Sequence, residues 1–443
     1  MDTIDIAPFA DRRRRLCQAM LAQGGGIAVI PTAPERARNR DTHFPYRHDS
    51  YSYYLSGFTE PEAVLVLLAA AEQRAILFCR AKHEEREIWD GFRHGPEAAR
   101  EVFGFDEAYA IEELDTRLPQ LLSGQANLFY SVGYDADFDA RVTRALNSVR
   151  NMVRSGQSAP ATICDVRAMI DPMRVIKDAS EIDTMRRAAA ISVEAHKRAM
   201  RATRPGRFEY EIEAELLHEF RRGGSEYPAY TSIVAGGANA CVLHYVTNQA
   251  RLSQGDLLLI DAGCELGSYA SDITRTFPVD GVFSGPQRDL YELVLAAQAA
   301  AQAQTRPGTP YNLPHEAAVR VLAQGMLDVG LLTGSLDAAI ELGDKREGGY
   351  FRFYMHRTGH WLGLDVHDAG DYKKADQWLP LQPGNMVTVE PGIYVRPGPD
   401  VPERFWNIGI RIEDDALVTD AGCELITQAC PKSVADIEAW MRG

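Results

Sequence analysis

Short apolar runs separated by helical stretches dominate the first 170 residues of the chain. Predominantly hydrophobic segments occupy residues 63–70, 75–79 and 127–132. Runs of this length are typical of buried β-strands and are far too short to span a membrane. Because these strands alternate with helical stretches, the pattern predicts an α/β domain.

A cluster of four arginines, Arg12 to Arg15, lies near the start of the chain. Leu16, Met20 and Leu21 follow at helical spacing, so we interpret the arginines as the solvated face of an N-terminal helix. No apolar stretch precedes them, and the sequence therefore does not predict a secretory signal.

A less regular segment leads into a long amphipathic helix near residue 180. Ser180, followed three residues later by Asp183, resembles a capping box and predicts the helix start. We place the domain boundary near Val175, which gives an N-terminal domain of residues 1–175 and a C-terminal domain of residues 176–443. A chain of 443 residues is expected to form about two or three domains.

The C-terminal part contains an internal duplication. The tetrapeptide Thr-Arg-Pro-Gly occurs at residues 203–206 and 305–308, each time between two helical stretches. A Gly-containing turn, a buried strand and a terminal carboxylate follow at residues 252–263 and again at residues 381–392. We infer two related half-domains of helix, helix and hairpin about a pseudo-two-fold axis, hence an α+β domain. Unrelated α+β segments are the alternative.

Each half ends its first strand in one carboxylate and carries another on the next strand. These are Asp261 and Asp272 in the first half, and Glu390 and Glu413 in the second. If the first hairpin turns between Leu266 and Gly267, Asp261 faces Asp272 with Cβ atoms roughly 5 Å apart.

Carboxylates so close repel each other, so one takes a proton or a cation lies between them. Pseudo-symmetry would bring both pairs together, and two divalent cations would balance the resulting charge of about −4.

Residues 355–363 contain two histidines four positions apart, His356 and His360. The glutamate of an HExxH zinc helix is missing, and Gly359 and Gly363 disfavour a helix. We predict a loop or strand in which one histidine binds metal and the other lines the pocket. An oxygen-rich ligand set with one imidazole favours Mn²⁺, with Zn²⁺, Co²⁺ and Fe²⁺ as alternatives.

Charge and cysteine content exclude several other classes of protein. The formal net charge of −15 argues against nucleic acid as the main partner, because phosphate binding needs a basic face. Seven scattered cysteines without a CxxC pair predict neither a disulfide framework nor a zinc ribbon. We expect a cytoplasmic protein without a membrane partner.

Residues 356–368, with the sequence His-Arg-Thr-Gly-His-Trp-Leu-Gly-Leu-Asp-Val-His-Asp, resemble the aminopeptidase P branch of the pita-bread metallopeptidases. Residues 40–50, 53–58 and 60–63 resemble the N-terminal domain of the same branch, so the likeness extends over nearly the whole chain. One departure is Arg357, since relatives often carry glycine directly after the first histidine.

The resemblance implies a fold, a ligand set and roles for the surrounding residues. It implies that two divalent ions are bound by five residues: Asp261, Asp272, His360, Glu390 and Glu413. Of these, Asp272 and Glu413 would bridge the two ions. Glu390 would also shuttle a proton to the leaving nitrogen, and His244 and His367 would contact the scissile carbonyl and the leaving group. Arg411 would support the ligands, and His356 would line the pocket.

The resemblance also implies release of the N-terminal residue from peptides with proline in second position, by a homo-oligomer (dimer or tetramer). Tyr230, Trp361 and Tyr394 are candidates for the walls of a proline pocket. Three alternatives stay open: a prolidase acting on Xaa-Pro dipeptides, a non-catalytic peptide-binding or chaperone module, and a metallohydrolase acting on another bond such as an organophosphate ester.

Overall fold

The computed structural model describes residues 5–443 and divides the chain into two compact units. The first unit extends to Met173 and the second runs from Arg174 to Gly443, so the division falls two residues before the predicted boundary. The first four residues of the segment in which no secretory signal is predicted lie outside the described part. Within residues 5–443, no helix combines the length and apolarity needed to cross a membrane.

The first unit is the predicted α/β domain. Its strands are β1 (Gly26–Pro31), β2 (Ala37–Asn39), β3 (Thr42–His43), β4 (Val64–Ala69), β5 (Arg74–Cys79), β6 (Glu107–Ala110), β7 (Asn127–Phe129) and β8 (Thr162–Cys164). Its helices are α1 (Ala7–Ala22), α2 (Ser50–Ser56), α3 (Glu84–Asp90), α4 (Gly95–Phe103), α5 (Leu114–Leu122), α6 (Ala136–Asn151) and α7 (Arg167–Val175), which ends two residues into the second unit.

Six of these strands form one mixed sheet in the order β6-β5-β4-β1-β7-β8. The central pairs β1–β4 and β4–β5 are antiparallel, and the outer pairs are parallel. Every residue of β4 is buried, because the sheet is covered on both faces. The apolar runs of the sequence are therefore the core strands of this unit.

The arginine cluster in α1 is only partly solvated, so the prediction of a solvated face is wrong for two of its members. Arg12 and Arg13 are 2% and 5% exposed. Arg13 donates to the carbonyl oxygens of Leu55 and Gly104, both at 2.9 Å. Guanidinium groups that satisfy backbone carbonyls can be buried at an acceptable cost, which a sequence pattern alone does not reveal.

The second unit is built from six helices and thirteen strands. Its helices are α8 (Ala179–Ala202), α9 (Glu209–Arg222), α10 (Gly285–Gln304), α11 (Leu313–Asp328), α12 (Leu336–Asp344) and α13 (Val434–Arg442). Its strands are β9 (Tyr227–Pro228), β10 (Ile233–Gly236), β11 (Leu257–Asp261), β12 (Cys264–Leu266), β13 (Tyr269–Ala270), β14 (Thr274–Pro278), β15 (Lys373–Lys374), β16 (Gln377–Trp378), β17 (Met386–Val389), β18 (Gly392–Val395), β19 (Ile408–Arg411), β20 (Asp414–Thr419) and β21 (Gly422–Leu425).

The duplication predicted from the sequence is present in this unit. Helices α8 and α10 each end one residue before the threonine of a Thr-Arg-Pro-Gly copy, and each packs on the helix that follows it. The hydroxyls of Thr203 and Thr305 donate to the carbonyl oxygens of Ala199 and Ala301, four residues earlier in both cases. A helix pair and a set of hairpins therefore follow each other twice, and their apolar faces share one core.

Helix α8 begins slightly earlier than the sequence predicts. Asp178, not Ser180, is the N-cap, and its carboxylate accepts the backbone N–H of Glu181. The Glu181 carboxylate in turn accepts the backbone N–H of Asp178 and completes the capping box. The prediction was two residues late because Asp and Ser are both good N-caps and the pattern does not separate them.

Candidate metal centre

The sequence predicts that the first hairpin places Asp261 opposite Asp272, and the structure shows that this prediction is wrong. Asp261 pairs with Thr274 in the ladder between β11 and β14. The turn consists of Gly267 and Ser268, both with positive φ (52° and 70°), as a two-residue hairpin turn requires. Because this turn lies one residue later than predicted, the register shifts by two and Asp272 lies between β13 and β14.

Gly263 allows the strands to approach each other at this irregular point. A Cβ atom at Gly263 would lie 1.7 Å from the carbonyl oxygen of Ser271. The Asp-x-Gly pattern at residues 261–263 thus has a physical reason: the carboxylate belongs to the site, and the glycine lets the strand of Asp272 pass behind it.

The second hairpin has the register that the sequence predicts. Val389 pairs with Asp414, and Gly392 pairs with Arg411. Glu390 and Glu413 therefore occupy opposed positions between the two short ladders. Side chains of opposed residues lie on one face of a hairpin, so both carboxylates are directed to the same side.

Three side chains from separate segments converge on one point. Asp272, His360 and Glu413 each offer a ligand atom, and these atoms lie within 4.8 Å of one another. His360 Nε2 is 3.5 Å from Asp272 Oδ2 and 3.7 Å from Glu390 Oε1. His360 Nδ1 lies 3.0 Å from the carbonyl oxygen of Trp361, which can only accept, so Nδ1 carries the proton. The lone pair of Nε2 is then available to a cation.

Tyr230 and Arg411 connect Asp261 to this group. The Tyr230 hydroxyl lies 2.6 Å from Asp261 Oδ1 and 2.5 Å from Asp272 Oδ1. Arg411 Nη2 donates to Asp261 Oδ2 at 2.6 Å. Glu413 Oε2 accepts the hydroxyl of Thr274 at 2.6 Å. The structure thus brings all five predicted ligands together, although they come from four strand ends and one loop.

The charges of this cluster call for a cation. Burial and the charges of Asp272, Glu390 and Asp261 raise the pKa of Glu413 well above its usual range. Burial and the charge of Asp261 raise the pKa of Asp272, and burial raises the pKa of Glu390 to about 7. Burial alone would lower the pKa of His360, but its contact with Asp272 and the charge of Glu390 outweigh this and raise it to about 9. Every shift favours a bound positive charge.

The donor set fits divalent metal ions. Four carboxylates and one imidazole are the ligands that Mn²⁺ accepts readily, and Zn²⁺, Co²⁺ and Fe²⁺ also bind such sets. The single phenolic proton of Tyr230 cannot satisfy two ionised carboxylates at 2.5–2.6 Å, so the remaining charge needs another partner.

Two buried side chains that the sequence analysis missed support the ligands from behind. His196 and Gln298 both lie seven residues before the threonine of their Thr-Arg-Pro-Gly copy (196 and 203, 298 and 305). His196 Nε2 is 2.9 Å from the carbonyl oxygen of Ala262. Gln298 Nε2 donates to the carbonyl oxygens of Val389 and Ile412 at 3.2 and 3.3 Å. All three carbonyls belong to residues adjacent to ligands, so these side chains fix the strand ends.

The cluster lies in a cavity of about 1030 Å³. The wall contains all five predicted ligands and the four other predicted polar residues, namely His244, His356, His367 and Arg411. The rings of His360 and His367 lie 4.2 Å apart. The loop character predicted for the segment with His356 and His360 is also observed.

His356 is held by a relay of hydrogen bonds behind the cavity. Its Nδ1 lies 2.8 Å from the carbonyl oxygen of Arg357 and must donate, so its Nε2 accepts the Tyr394 hydroxyl at 2.8 Å. The same hydroxyl accepts Arg411 Nη1 at 2.9 Å. Burial lowers the pKa of His356 to about 3, so the imidazole is neutral.

Of the three predicted aromatic pocket residues, Tyr230 lines the cavity and the other two do not. Trp361 is 1% exposed and stacks on Tyr372 at 5.4 Å, because its backbone bridges to Val387 and turns the indole into the core. Tyr394 is also 1% exposed. The hydrophobic wall is formed instead by residues that no pattern had indicated: Ile233, Leu243, Val246, Tyr311, Val366, Tyr372 and Trp378.

Tyr230→Phe is expected to weaken metal binding roughly 10- to 100-fold, the usual effect of losing a side chain that orients ligands. The hydroxyl that joins Asp261 to Asp272 is lost while the ring is kept. Competition with a chromogenic chelator measures the change. Tyr210→Phe, which alters an exposed tyrosine, is the control. Equal metal affinities of the two variants would contradict the role of Tyr230.

Comparison with known proteins agrees with this geometry. The family model described as metallopeptidase family M24 matches residues 183–420, and the one described as aminopeptidase P, N-terminal domain, matches residues 9–130. The chain is 44% identical to the Xaa-Pro aminopeptidase of Haemophilus influenzae, over 98% of this chain and 96% of that protein. It is 43% identical to the Xaa-Pro aminopeptidase of Escherichia coli K12, over 100% and 99%.

Solved structures match over the full length as well. The aminopeptidase PepP of Pseudomonas aeruginosa gives a TM-score of 0.95 at 47% identity, with 100% of this chain and 99% of that one covered. A variant of Escherichia coli aminopeptidase P in complex with substrate gives 0.95 at 43% identity and the same coverage. The predicted α/β domain followed by a duplicated pita-bread domain is thereby confirmed, and the chain belongs to metallopeptidase family M24, with the N-terminal domain of aminopeptidase P preceding its catalytic domain.

Proposed function

We propose that this chain is a metal-dependent Xaa-Pro aminopeptidase, which hydrolyses the bond between the first residue of a peptide and a proline in second position. The observation that carries the proposal is that all five predicted ligands line one large cavity, three of them with ligand atoms within 4.8 Å of one another. The chain is also 43–44% identical, over nearly its whole length, to two proteins named Xaa-Pro aminopeptidase.

Asp261, Asp272, His360, Glu390 and Glu413 would hold two divalent ions. When bound, such ions lower the pKa of a water molecule and polarise the scissile carbonyl. We take Mn²⁺ as the native metal, since oxygen donors predominate. An Escherichia coli aminopeptidase P was solved in a Zn-substituted form, so the site of that relative also takes zinc.

Glu390 is the carboxylate that can move a proton. Its side chain is 16% exposed in the cavity, whereas Asp272 is 7% exposed and Glu413 is nearly covered. A proton taken up by the Glu390 carboxylate from water can pass to the proline nitrogen, which needs it in order to leave as an amine. Asp261 is 14% exposed but is already engaged by Arg411 and Tyr230.

The cavity histidines would stabilise charge on the substrate. Burial and the charges of His360 and His244 lower the pKa of His367, so this imidazole stays neutral near pH 7 and can donate one hydrogen bond. His244 and His367 would direct such donors at the carbonyl oxygen and the leaving group. His356, fixed by Tyr394, would line the pocket and not exchange protons.

The hydrophobic part of the wall suits proline. The bond before proline is a tertiary amide without an N–H group, so its pocket needs shape and apolar surface more than an acceptor. Ile233, Leu243 and Val246 supply such surface beside the ligands.

Turnover of defined peptides tests the proposal. After metal removal by a chelator, no cleavage is expected; after addition of Mn²⁺, Ala-Pro-Ala should release alanine and Ala-Ala-Ala should not, because the catalytic water needs the metal and the pocket selects proline. Mass spectrometry of the products gives the rates. Cleavage of Ala-Pro but not Ala-Pro-Ala would identify a prolidase, and metal-loaded protein that binds peptide without cleaving it would identify a binding module.

Cellular context forms a second part of the proposal. The seven cysteines are free thiols, five of them buried, which suits a reducing cytoplasm.

Helix α3 exposes Ile88 and Trp89, which are 80% and 85% accessible, and Phe92 follows at 53%. Exposed apolar groups of this size favour self-association, so we propose a homo-oligomer, which sedimentation would detect.

A further inference from the structure

One side of the cavity carries two cations on an aromatic ring. Lys373 pairs with Trp378 across the β15–β16 hairpin, and its Nζ lies 4.0 Å from the centroid of the indole. The Arg357 Cζ lies 4.9 Å from the same centroid. All three residues line the cavity that contains the metal ligands. We name Arg357, Lys373 and Trp378 the cationic wall.

The two cations have no anionic partner within the described residues. Neither Arg357 nor Lys373 forms an ion pair or donates a side-chain hydrogen bond to any residue between positions 5 and 443. Asp371 and Asp376 lie close in sequence but do not pair with them. A guanidinium group has five N–H donors and an ammonium group has three, so eight donors are available at the cavity wall.

Both cations are exposed at the cavity wall and are not neutralised by a carboxylate of the described residues. With 62 acidic and 47 basic residues, the protein has many carboxylates that could neutralise a pair of cations. Two like charges over one ring repel each other, and the attraction to the indole face offsets only part of this cost. An anion that binds beside them would lower this repulsion.

The metal ligands do not supply that anion. Four carboxylates are balanced by two divalent ions, and Asp261 is in addition paired with Arg411. The positive charge of the cationic wall is therefore left for the ligand that enters the cavity.

We propose that the cationic wall is a subsite for a carboxylate of the substrate, located away from the bond that is cleaved. The inference rests on the proposed peptidase function. A guanidinium group stacked on a ring keeps its in-plane N–H donors free, and it binds a carboxylate with two parallel hydrogen bonds. The C-terminal carboxylate of a short peptide and an acidic side chain after the proline offer the same chemistry.

Peptides that differ in one charge test the subsite. For the metal-loaded protein, KM for Ala-Pro-Ala should be roughly tenfold lower than KM for its C-terminal amide. In Arg357→Met/Lys373→Met the ratio of the two KM values should fall to about one. Lys374→Met removes a charge from the next position of β15, outside the cavity lining, and should keep the native ratio.

A third peptide separates the two sources of the carboxylate. If Ala-Pro-Asp-amide has a KM as low as that of Ala-Pro-Ala, the wall also accepts an acidic side chain; if its KM equals that of Ala-Pro-Ala-amide, the wall selects the chain terminus. Either result supports the subsite.

Equal KM values for acid and amide in the native protein would overturn the proposal, as would a ratio that survives in the double variant. Failure of the peptidase function gives a different result, because then none of the peptides is cleaved. In that case calorimetric titration of the metal-loaded protein with Ala-Pro-Ala and its amide still compares their affinities, and equal affinities would refute the subsite.

Discussion

Glu413→Gln is expected to slow the turnover of Ala-Pro-Ala by about 1000-fold, because metal charge stabilisation contributes several kcal/mol to such reactions. Bound metal should fall from two ions per chain to one or fewer. Glutamine keeps the volume of the side chain and can still accept the hydrogen bond from the Thr274 hydroxyl. It lacks the negative charge that lies opposite Glu390 in the hairpin. Asp272→Asn removes the equivalent charge in the first half and should act in the same way.

Elemental analysis after dialysis gives the metal content, and circular dichroism verifies the fold. Glu347→Gln is the matched control, since Glu347 is exposed and remote from the cavity lining. The charge of the cluster is itself unfavourable without metal, so Glu413→Gln should not destabilise the metal-free protein. A variant with two bound ions and the native rate would disprove the two-metal site.

Much of the catalytic fold follows from local patterns in the sequence. Repetition of Thr-Arg-Pro-Gly identified the two helix ends, and the strand ending in Glu390 carries enough register information to place Glu413 opposite. The equivalent inference failed for Asp261 because the observed turn, formed by Gly267 and Ser268, lies one residue later than the turn that the sequence predicts. A one-residue change in a turn alters which residues face each other, and composition does not fix it.

The remaining parts of the site depend on contacts between distant segments. Tyr311 lines the cavity from the turn just before α11, and Trp378 lines it from a hairpin 67 residues later (378 minus 311). Neither position has a periodicity or spacing that indicates function. His196 and Gln298 are different, because their equal distances from the two Thr-Arg-Pro-Gly copies were visible in the sequence. Comparing the halves position by position would have found them.

Asp368→Asn is expected to lower the free energy of unfolding by about 3–5 kcal/mol, the usual cost of leaving a buried charge unpaired. The Asp368 carboxylate accepts Arg174 Nη2 at 2.5 Å and Lys177 Nζ at 2.9 Å, and all three side chains are at most 1% exposed. Arg174 keeps Asp365 as a partner. Lys177 has no second carboxylate among the residues that the structure describes.

Urea denaturation at pH 7 measures the loss, and Asp365→Asn is the control. Asp365 is 47% exposed, so its pairing with Arg174 is screened and should contribute less than about 1 kcal/mol. In the double variant Lys177→Met/Asp368→Asn the unpaired ammonium is gone, and part of the stability should return. If the double variant is as unstable as the sum of the single ones, the buried pair is not the cause.

The pH dependence provides an independent test of the same pair. Burial would raise the pKa of Asp368, but the charges of Lys177 and Arg174 outweigh it and hold this pKa below its usual range. A carboxyl group with a lowered pKa stabilises the folded state above its unfolded pKa of about 3.9 and loses that contribution as the pH falls further. The deficit of Asp368→Asn should therefore be constant from pH 7 to pH 5 and shrink below pH 4. A deficit that is unchanged at pH 3 would mean that lost packing, not lost charge, causes the instability.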